Sequence, residues 1–490
     1  MTDSASAPRQ KWGAFLRHAH WLLLIPLLID LGYSYVEHLN VMHDGDMVSH
    51  IIPHPNIQEI LDDPFGLRAL LKGEKYASPN RYFAHESLLL YMRNVPLMLQ
   101  AFVEPIYSTY MACAIAKVLI QASLIALLAY YISFNSKINS RNLLIAALLA
   151  TPFFQTAGYS GQMGIIDRSI TYTFFYSLPM VGLLLYFVPL HRAVFSSTPQ
   201  PISRPWQVAL PILAVVLALN GPLIPAVGGL ICLALALSLL AKVRKAEHLS
   251  LRAGVRRLSK RPYWPILAQL LFFVFCCGYS LYIGTFNNAN IPLFSLAEIY
   301  GKLWGGIPQE FLSELGFPLL VAAVFVNILL LKLSPQNEKT ATMFTIAKWL
   351  LVLSVIYVAL LPLGGYREYR PNIVRRDTII PVTLALIYFF GVSTLYLLQH
   401  GPPRFNRLYL PTLVALVAVY SLADVANLRD NNCETDCMRI IANSTEPIVH
   451  LEADCGVMNW GTITDPNVSA QAAEMMVHWN IMKEKKLFYH

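Results

Sequence analysis

Charge is what this chain has least of. Asp, Glu, Lys and Arg make up 13% of its 490 residues, about half the ~25% usual in a soluble domain. That is too little to give a core of this size a water-facing surface. Cysteine is scarce too, with seven residues, which excludes a disulfide-stapled scaffold. No repeat of solenoid or propeller period is visible, and the two halves lack the internal similarity of duplicated transporter bundles. No Gly-rich loop ends in a Walker lysine. No basic stretch carries aromatics spaced to stack bases, so nucleic acid is not an expected partner. What abounds is apolar surface: 56% hydrophobic residues and a mean hydropathy of +0.48. These values describe a protein that crosses a bilayer many times.

A spanning helix needs about 20 mostly apolar residues. The sequence predicts an all-α polytopic fold with eleven such segments: 19–38, 112–134, 143–158, 170–190, 207–221, 226–241, 264–284, 317–333, 348–364, 379–398 and 409–426. Asn220-Gly221-Pro222 splits one long apolar stretch into a hairpin. Lys and Arg are retained on the cytoplasmic side. With the N-terminus inside, inner loops and span edges carry 20 of the 37 basic residues, eight of them between Lys242 and Arg261. The outer segments carry 16, and Lys117 lies within a span. Acidic residues divide the other way: Asp3, Glu247 and Glu338 inside, Asp30 and Glu37 in the first span, and the other 24 toward the outer side, counting Asp424 near the outer end of the last span. The C-terminus is then outside, with 1–426 as the membrane domain and 427–490 as a small outer tail domain. Asp30 interrupts the first span and no small-residue cleavage site follows, so that span is expected to persist as an anchor.

Three outer segments are long: 39–111, 285–316 and the tail. Phe294 to Trp304 has the spacing of a helix lying in the membrane interface. Ile57 to Leu71 is similar, with Ile60, Leu61, Leu67 and Leu70 on its apolar side. Membrane lipid is therefore an expected partner on this face. The tail holds Cys433, Cys437 and Cys455. On an oxidising face, three cysteines predict one bridge and one free thiol, with the pairing left open.

Three constellations can carry chemistry. His43-Asp44-Gly45-Asp46 follows the first span, with Glu37 one helical turn earlier. Partial desolvation of such a carboxylate fits it to act as a general base; a solvated turn is the plain alternative. No cofactor is required. A divalent ion held by His43, Asp44, Asp46, His50 and His54 is the alternative for this loop, although Pro53 and Pro55 forbid a helical spacing of His50 and His54. The second constellation runs from Tyr366 to Asp377 and places Arg367, Arg370, Arg375 and Arg376, with Tyr369, on the face that disfavours basic residues. Guanidinium groups grip phosphate through paired N–H donors. Ion pairs with Glu368 and Asp377 would occupy two of the four, leaving at least one for an anionic ligand. The third, Gly158 to Arg168, reads as a structural hairpin whose Asp167 or Arg168 lines the same cavity. Asp30 and Lys117, costly in lipid, should face the bundle interior, either paired or lining a path.

An acidic turn after the first span, an arginine-rich outer link before a late span, and an outer tail ending Lys483-Glu484-Lys485-Lys486-Leu487-Phe488-Tyr489 together resemble the GT-C membrane glycosyltransferases. Within that class, size and tail are similar to the bacterial serotype-converting O-antigen glucosyltransferases. The likeness covers the chain as an architecture and is loose at the level of motifs. It implies a polyprenyl-phosphate-linked sugar donor and a lipid-linked glycan acceptor. It also implies transfer with inversion on the periplasmic face of the bacterial inner membrane. A first-loop acid would be the base, mapping to Asp44 or Asp46 with Glu37 close by, and Lys483, Lys485 or Lys486 would contact substrate. Asp44-Gly45-Asp46 departs from the adjacent acids of many members, which leaves the base open between them. The alternative is a lipid or glycan flippase using Asp30, Lys117 and the arginines as a path; a scaffold for an envelope complex is the third class.

Overall fold

The computed structural model describes residues 19–134, 140–154, 163–195, 202–290, 294–368, 370, 372–401, 403–425 and 427–490. Helix dominates. After a 3-10 turn, α1 (Leu24–Leu39) leads to three short helices, α2 (Gly45–Ile51), α3 (Pro55–Leu61) and α4 (Leu67–Lys72). Then come α5 (Tyr82–Leu99), α6 (Pro105–Phe134), α7 (Ser140–Ala150) and α8 (Ile170–Phe195). The middle of the chain forms α9 (Arg204–Ala218), α10 (Ile224–Glu247), α11 (Leu251–Leu258), α12 (Trp264–Gly284) and α13 (Leu296–Leu312). It continues through α14 (Gly316–Leu333), α15 (Glu338–Leu360), α16 (Ile380–His400) and α17 (Pro403–Ala423). The tail adds α18 (Asn432–Asn443) and α19 (Ala470–His478), plus β1 (Ile448–His450) paired in parallel with β2 (Leu487–Tyr489).

Among the described residues, eight helices are long and apolar enough to cross a membrane: His20–Leu39, Pro105–Phe134, Ile170–Phe195, Ile224–Glu247, Trp264–Gly284, Gly316–Leu333, Glu338–Gly364 and Ile380–His400. Three shorter apolar helices, Ser140–Phe154, Arg204–Ala218 and Arg407–Ala423, fall on the remaining expected segments. Leu28, Ile29, Phe275, Leu351, Val355 and Val414 point outward, an apolar coat that suits lipid and that monomeric soluble proteins rarely expose. Inside the bundle, polar groups are matched across helices. Asn327 of α14 donates to Ser393 Oγ at 2.8 Å and Thr394 Oγ1 at 2.9 Å on α16, and accepts from the Tyr409 hydroxyl on α17 at 2.8 Å. Such pairing is what a medium without water demands.

α6 has 30 residues and is about 45 Å long at 1.5 Å per residue, more than the ~30 Å hydrocarbon layer. Its N-terminal turns leave the bundle. Ile106, Tyr110 and Cys113 join a second core with Met47, Ile51 and Met92 of the segment between α1 and α6 and Met438, Trp479 and Phe488 of the tail. Trp479 is fully buried, and its indole N–H donates to the Met92 carbonyl at 2.8 Å. The tail thus shares a core with the segment between α1 and α6. Glu434 of α18 anchors that core, accepting from Tyr110 OH at 2.8 Å, His43 N–H at 2.9 Å and Met458 N–H at 2.8 Å.

The stretch Ile57 to Leu71 departs from expectation. Asp62-Asp63-Pro64-Phe65-Gly66 divides it into α3 and α4, with Gly66 at φ +68°. Ile60 and Ala69 pack with Tyr76 and Ile283, while Leu67 and Leu70 stay exposed. The break is held by Asp63, which accepts from Leu67 N–H, Arg68 N–H and Tyr76 OH at 2.7, 2.8 and 2.7 Å. The second expected amphipathic helix does form, as α13. Ser295 and Glu298 cap it reciprocally; Ile299 and Leu303 are buried, while Trp304, Phe311 and Leu312 are exposed.

Candidate functional site

Asn372 to Asp377 lie between the 3-10 turn Leu361–Gly364 that follows α15 and the start of α16 at Ile380, and two neighbours shape their path. α13 approaches through Gly305 and Gly306: a Cβ on Gly306 would lie 2.7 Å from the Val374 carbonyl oxygen, so only glycine permits this backbone contact. From the other side comes Ile165 to Ser169, whose Asp167 leads into α8. Between them is a cleft of about 280 Å³ lined by Arg370, Arg375, Arg376 and Asp377 of the link, Asp167 and Tyr172, and Gln309, Glu310, Ser313 and Glu314 of the α13 end. Tyr172 precedes a π turn, Thr173–Ser177, and Tyr176 lies within it; this helix irregularity is frequent at functional sites.

The arginines are held in different ways. Arg375 forms a two-point pair with Asp377, Nε to Oδ1 at 3.0 Å and Nη2 to Oδ2 at 2.8 Å. Arg376 pairs with Asp167 at 3.1 Å; the expected second partner was Glu368. Arg370 donates to the Tyr172 hydroxyl at 2.9 Å, its guanidinium 5.6 Å from the ring centre. Arg367 turns away to Ser78 Oγ at 3.4 Å and does not line the cleft. Tyr369 lies outside the described residues. Burial pushes the Asp167 carboxyl above the ordinary Asp value despite the pull of Arg376. Burial and the charge of Asp377 do the same to Glu310. For Asp377 burial acts upward, but hydrogen bonds and charge from Arg375 hold it below the usual value.

The acidic turn is reached through two aromatic rings. Asp44 is buried and caps α2, accepting from Met47 N–H at 3.0 Å and from the Thr171 hydroxyl at 2.8 Å. Asp46 is only partly buried and accepts from the Trp460 indole N–H at 3.3 Å. The Trp460 ring centre is 6.4 Å from that of Tyr172, which lines the cleft. A Cβ on Gly45 would meet the Trp460 backbone nitrogen and ring at 2.6 Å, so this glycine lets the tail close over the turn. Glu37 is buried in α1 and is not among the cleft residues.

The proposed metal set of the first loop does not converge. His43 Nδ1 lies 3.4 Å from Glu434 and its ring packs edge-on against Tyr110. His50 stacks on His85 with ring centres 4.8 Å apart, and burial lowers both imidazole pKa values. His54 caps α3. Among the described residues the one group of three or more close metal-ligating side chains is Cys433, Cys437 and Cys455. Cys433 and Cys455 are bridged, and the buried Cys437 Sγ is 4.0 Å from Cys455 Sγ.

Other expected contacts have structural partners. Arg168 pairs with Asp430 of the tail, while its carbonyl accepts from Lys117 inside the bundle. Lys485 faces Glu474 at 3.5 Å. Lys486 donates to the carbonyls of Ile441, Ala442 and Ser444, the last at the C-cap of α18; there an ammonium satisfies the exposed C=O groups. The structure thus brings Arg370, Arg375, Arg376 and Asp167 into one cleft, sets Asp46 beside it, and leaves Arg367, Glu37, Lys485 and Lys486 outside its lining. Glu310, Glu314, Tyr172 and Trp460 escaped the sequence reading. For the glutamates a signal was present: the helix that carries Trp304 has a polar end, Gln309-Glu310 and Ser313-Glu314. Comparison with family models, with curated proteins and with solved structures returns no match for this chain.

Proposed function

We propose that this multi-pass protein is a glycosyltransferase with a GT-C-like architecture of eleven spans. It would move a sugar, glucose first among the candidates, from a polyprenyl-phosphate donor to a hydroxyl of a lipid-linked, O-antigen-like glycan, on the periplasmic side of a bacterial inner membrane. The observation that carries this reading is the cleft in which Arg370, Arg375 and Arg376 meet a carboxylate-bearing wall, with Asp46 linked to it through Trp460 and Tyr172. In the step proposed, the acceptor oxygen attacks the anomeric carbon and the bond from that carbon to the donor phosphate breaks. The electron pair leaves on polyprenyl monophosphate, and the acceptor proton passes to a carboxylate. Arginines beside the phosphate stabilise the charge that develops there. Of the three acids expected in or near the first loop, Asp46 is best placed for the proton: Asp44 is occupied as a cap and Glu37 is buried elsewhere.

The test is sugar transfer by the purified protein in nanodiscs, with a radiolabelled polyprenyl-phosphate sugar and a lipid-linked acceptor. Asp46→Asn should stop transfer and leave donor binding in place; full transfer by this variant would overturn the assignment. The flippase reading rests on a different observation, the buried polar groups Ser34, His38, Lys117 and Gln121 within the contact of α1 and α6. It expects lipid movement without cleavage of the sugar–phosphate bond.

A further inference from the structure

The charge of the cleft does not suit a simple anion. Three arginines line it, but so do four carboxyl groups, Asp167, Glu310, Glu314 and Asp377. Asp167 and Asp377 are taken up by Arg376 and Arg375. Glu310 and Glu314 stand on a separate wall, the C-terminal end of α13 and the turn after it. Glu310 is half-buried and is fixed to the link by the Arg376 backbone N–H; Glu314 is open to solvent. A bare phosphate would be repelled by that wall. An ionised carboxylate only accepts hydrogen bonds, so a ligand that benefits from both walls carries an anionic group beside a group rich in donors. Hydroxyls donating to carboxylates make short, strong hydrogen bonds. The cleft volume of about 280 Å³ lies at the lower edge of the ~300–1,000 Å³ of pockets that take drug-sized ligands, room for one monosaccharide ring and its phosphate.

The same helix end offers a third kind of surface. Phe311, Leu312 and Leu315 interleave with Glu310, Ser313 and Glu314 and are exposed. A hydrocarbon chain leaving the phosphate can lie on that apolar edge while the head group stays in the cleft.

Resting on the donor reading above, we infer that the α13 end is the sugar-recognition wall. Glu310 and Glu314 accept hydrogen bonds from hydroxyls of the donor sugar, opposite the arginines that take the phosphate. The experiment compares two lipids, polyprenyl monophosphate and polyprenyl-phosphate glucose, for binding to the full chain in nanodiscs. Glu310→Gln and Glu314→Gln should each weaken the sugar-bearing lipid about tenfold, the scale of one hydrogen bond to a charged group. Both should leave the sugar-free lipid unchanged or slightly tighter. Glu314→Gln alters an exposed side chain, so its folding is not at risk. Equal loss for both lipids, or no loss for the sugar-bearing one, overturns the inference while the donor reading stands. If the unaltered protein binds neither lipid, the donor reading itself falls and takes the inference with it.

Discussion

Arg376 and Asp167 form an ion pair at 3.1 Å between the link that precedes α16 and the turn that precedes α8. The pair joins two of the chain's polar constellations and closes one side of the cleft. A neighbour fixes its position. Gly164 sits at φ +62°, and a Cβ there would come within 2.8 Å of Arg376 Cγ and 2.9 Å of Cδ. The guanidinium is thus aimed by a glycine that tolerates a left-handed backbone.

Gly164→Ala tests this without altering any charged group. A non-glycine residue in that conformation costs about 1–2 kcal/mol, and the added methyl displaces the Arg376 stem. The variant should melt a few degrees lower and bind polyprenyl monophosphate more weakly. Unchanged melting and affinity would show that Arg376 is not positioned from this side.

The two acids of the turn after α1 should separate by their phenotypes. Asp44→Ala removes the cap of α2 and the partner of the Thr171 hydroxyl, a loss of about 1 kcal/mol or more, read as a lower melting temperature. Asp46→Asn keeps the side-chain shape and leaves the indole of Trp460 an acceptor. It should melt normally while transfer is lost. The opposite pattern would move the proton-accepting role to Asp44.

How much of this could be read from sequence follows from the kind of signal involved. The long apolar helices were legible because 20 apolar residues in a row carry a large signal: the helix expected at 264–284 is Trp264–Gly284, and that expected at 379–398 is Ile380–His400. Arg375 and Asp377, two residues apart, were visible as a local pair. Arg376 with Asp167, or Asp46 with Trp460, joins segments far apart in the chain, and no local periodicity encodes such contacts. Lys486 was expected to contact substrate; the pairing of β1 with β2 carries it to the end of α18. The break in Ile57 to Leu71 was written in Pro64 and Gly66, yet its apolar spacing suggested one continuous face.

Acidity should distinguish the two ion pairs. The Asp167 value is raised above 3.8, chiefly by burial. The folded state then binds its proton more tightly than the unfolded chain, and this group's stabilising contribution falls as pH rises from the ordinary Asp value through the raised one. Asp377 has the opposite sign: its folded value is depressed, so its contribution is present above 3.8 and lost as pH falls through the depressed value. On acidification Asp167 therefore protonates before Asp377 and releases Arg376 first. Binding of polyprenyl monophosphate should tighten as pH falls through that step, and Asp167→Asn should remove this dependence. Equal pH profiles for the native protein and the variant would refute it.

The tail cysteines yield the last prediction. Cys433 and Cys437 are one turn apart on α18, and Cys455 is bonded to the first with the second 4.0 Å away. The loops closed by the two possible bridges, with separations of 22 and 18 residues, differ in closure entropy by only ~0.2 kcal/mol. Either bridge supplies about 3 kcal/mol in the chain-entropy account. What distinguishes them is packing: Cys437 is buried in the core shared with Tyr110 and Met438, and burial pushes its thiol pKa up, so it rests as a thiol. Cys433→Ser should let Cys437 take over Cys455, leaving one tail disulfide by mass spectrometry and most of the stability. Cys437→Ser should keep the original bridge, and Cys455→Ser should leave none and lower stability by about the full 3 kcal/mol. A free Cys455 in the Cys433→Ser protein, purified under oxidising conditions, would mean that the sulfur atoms are adjacent but not interchangeable.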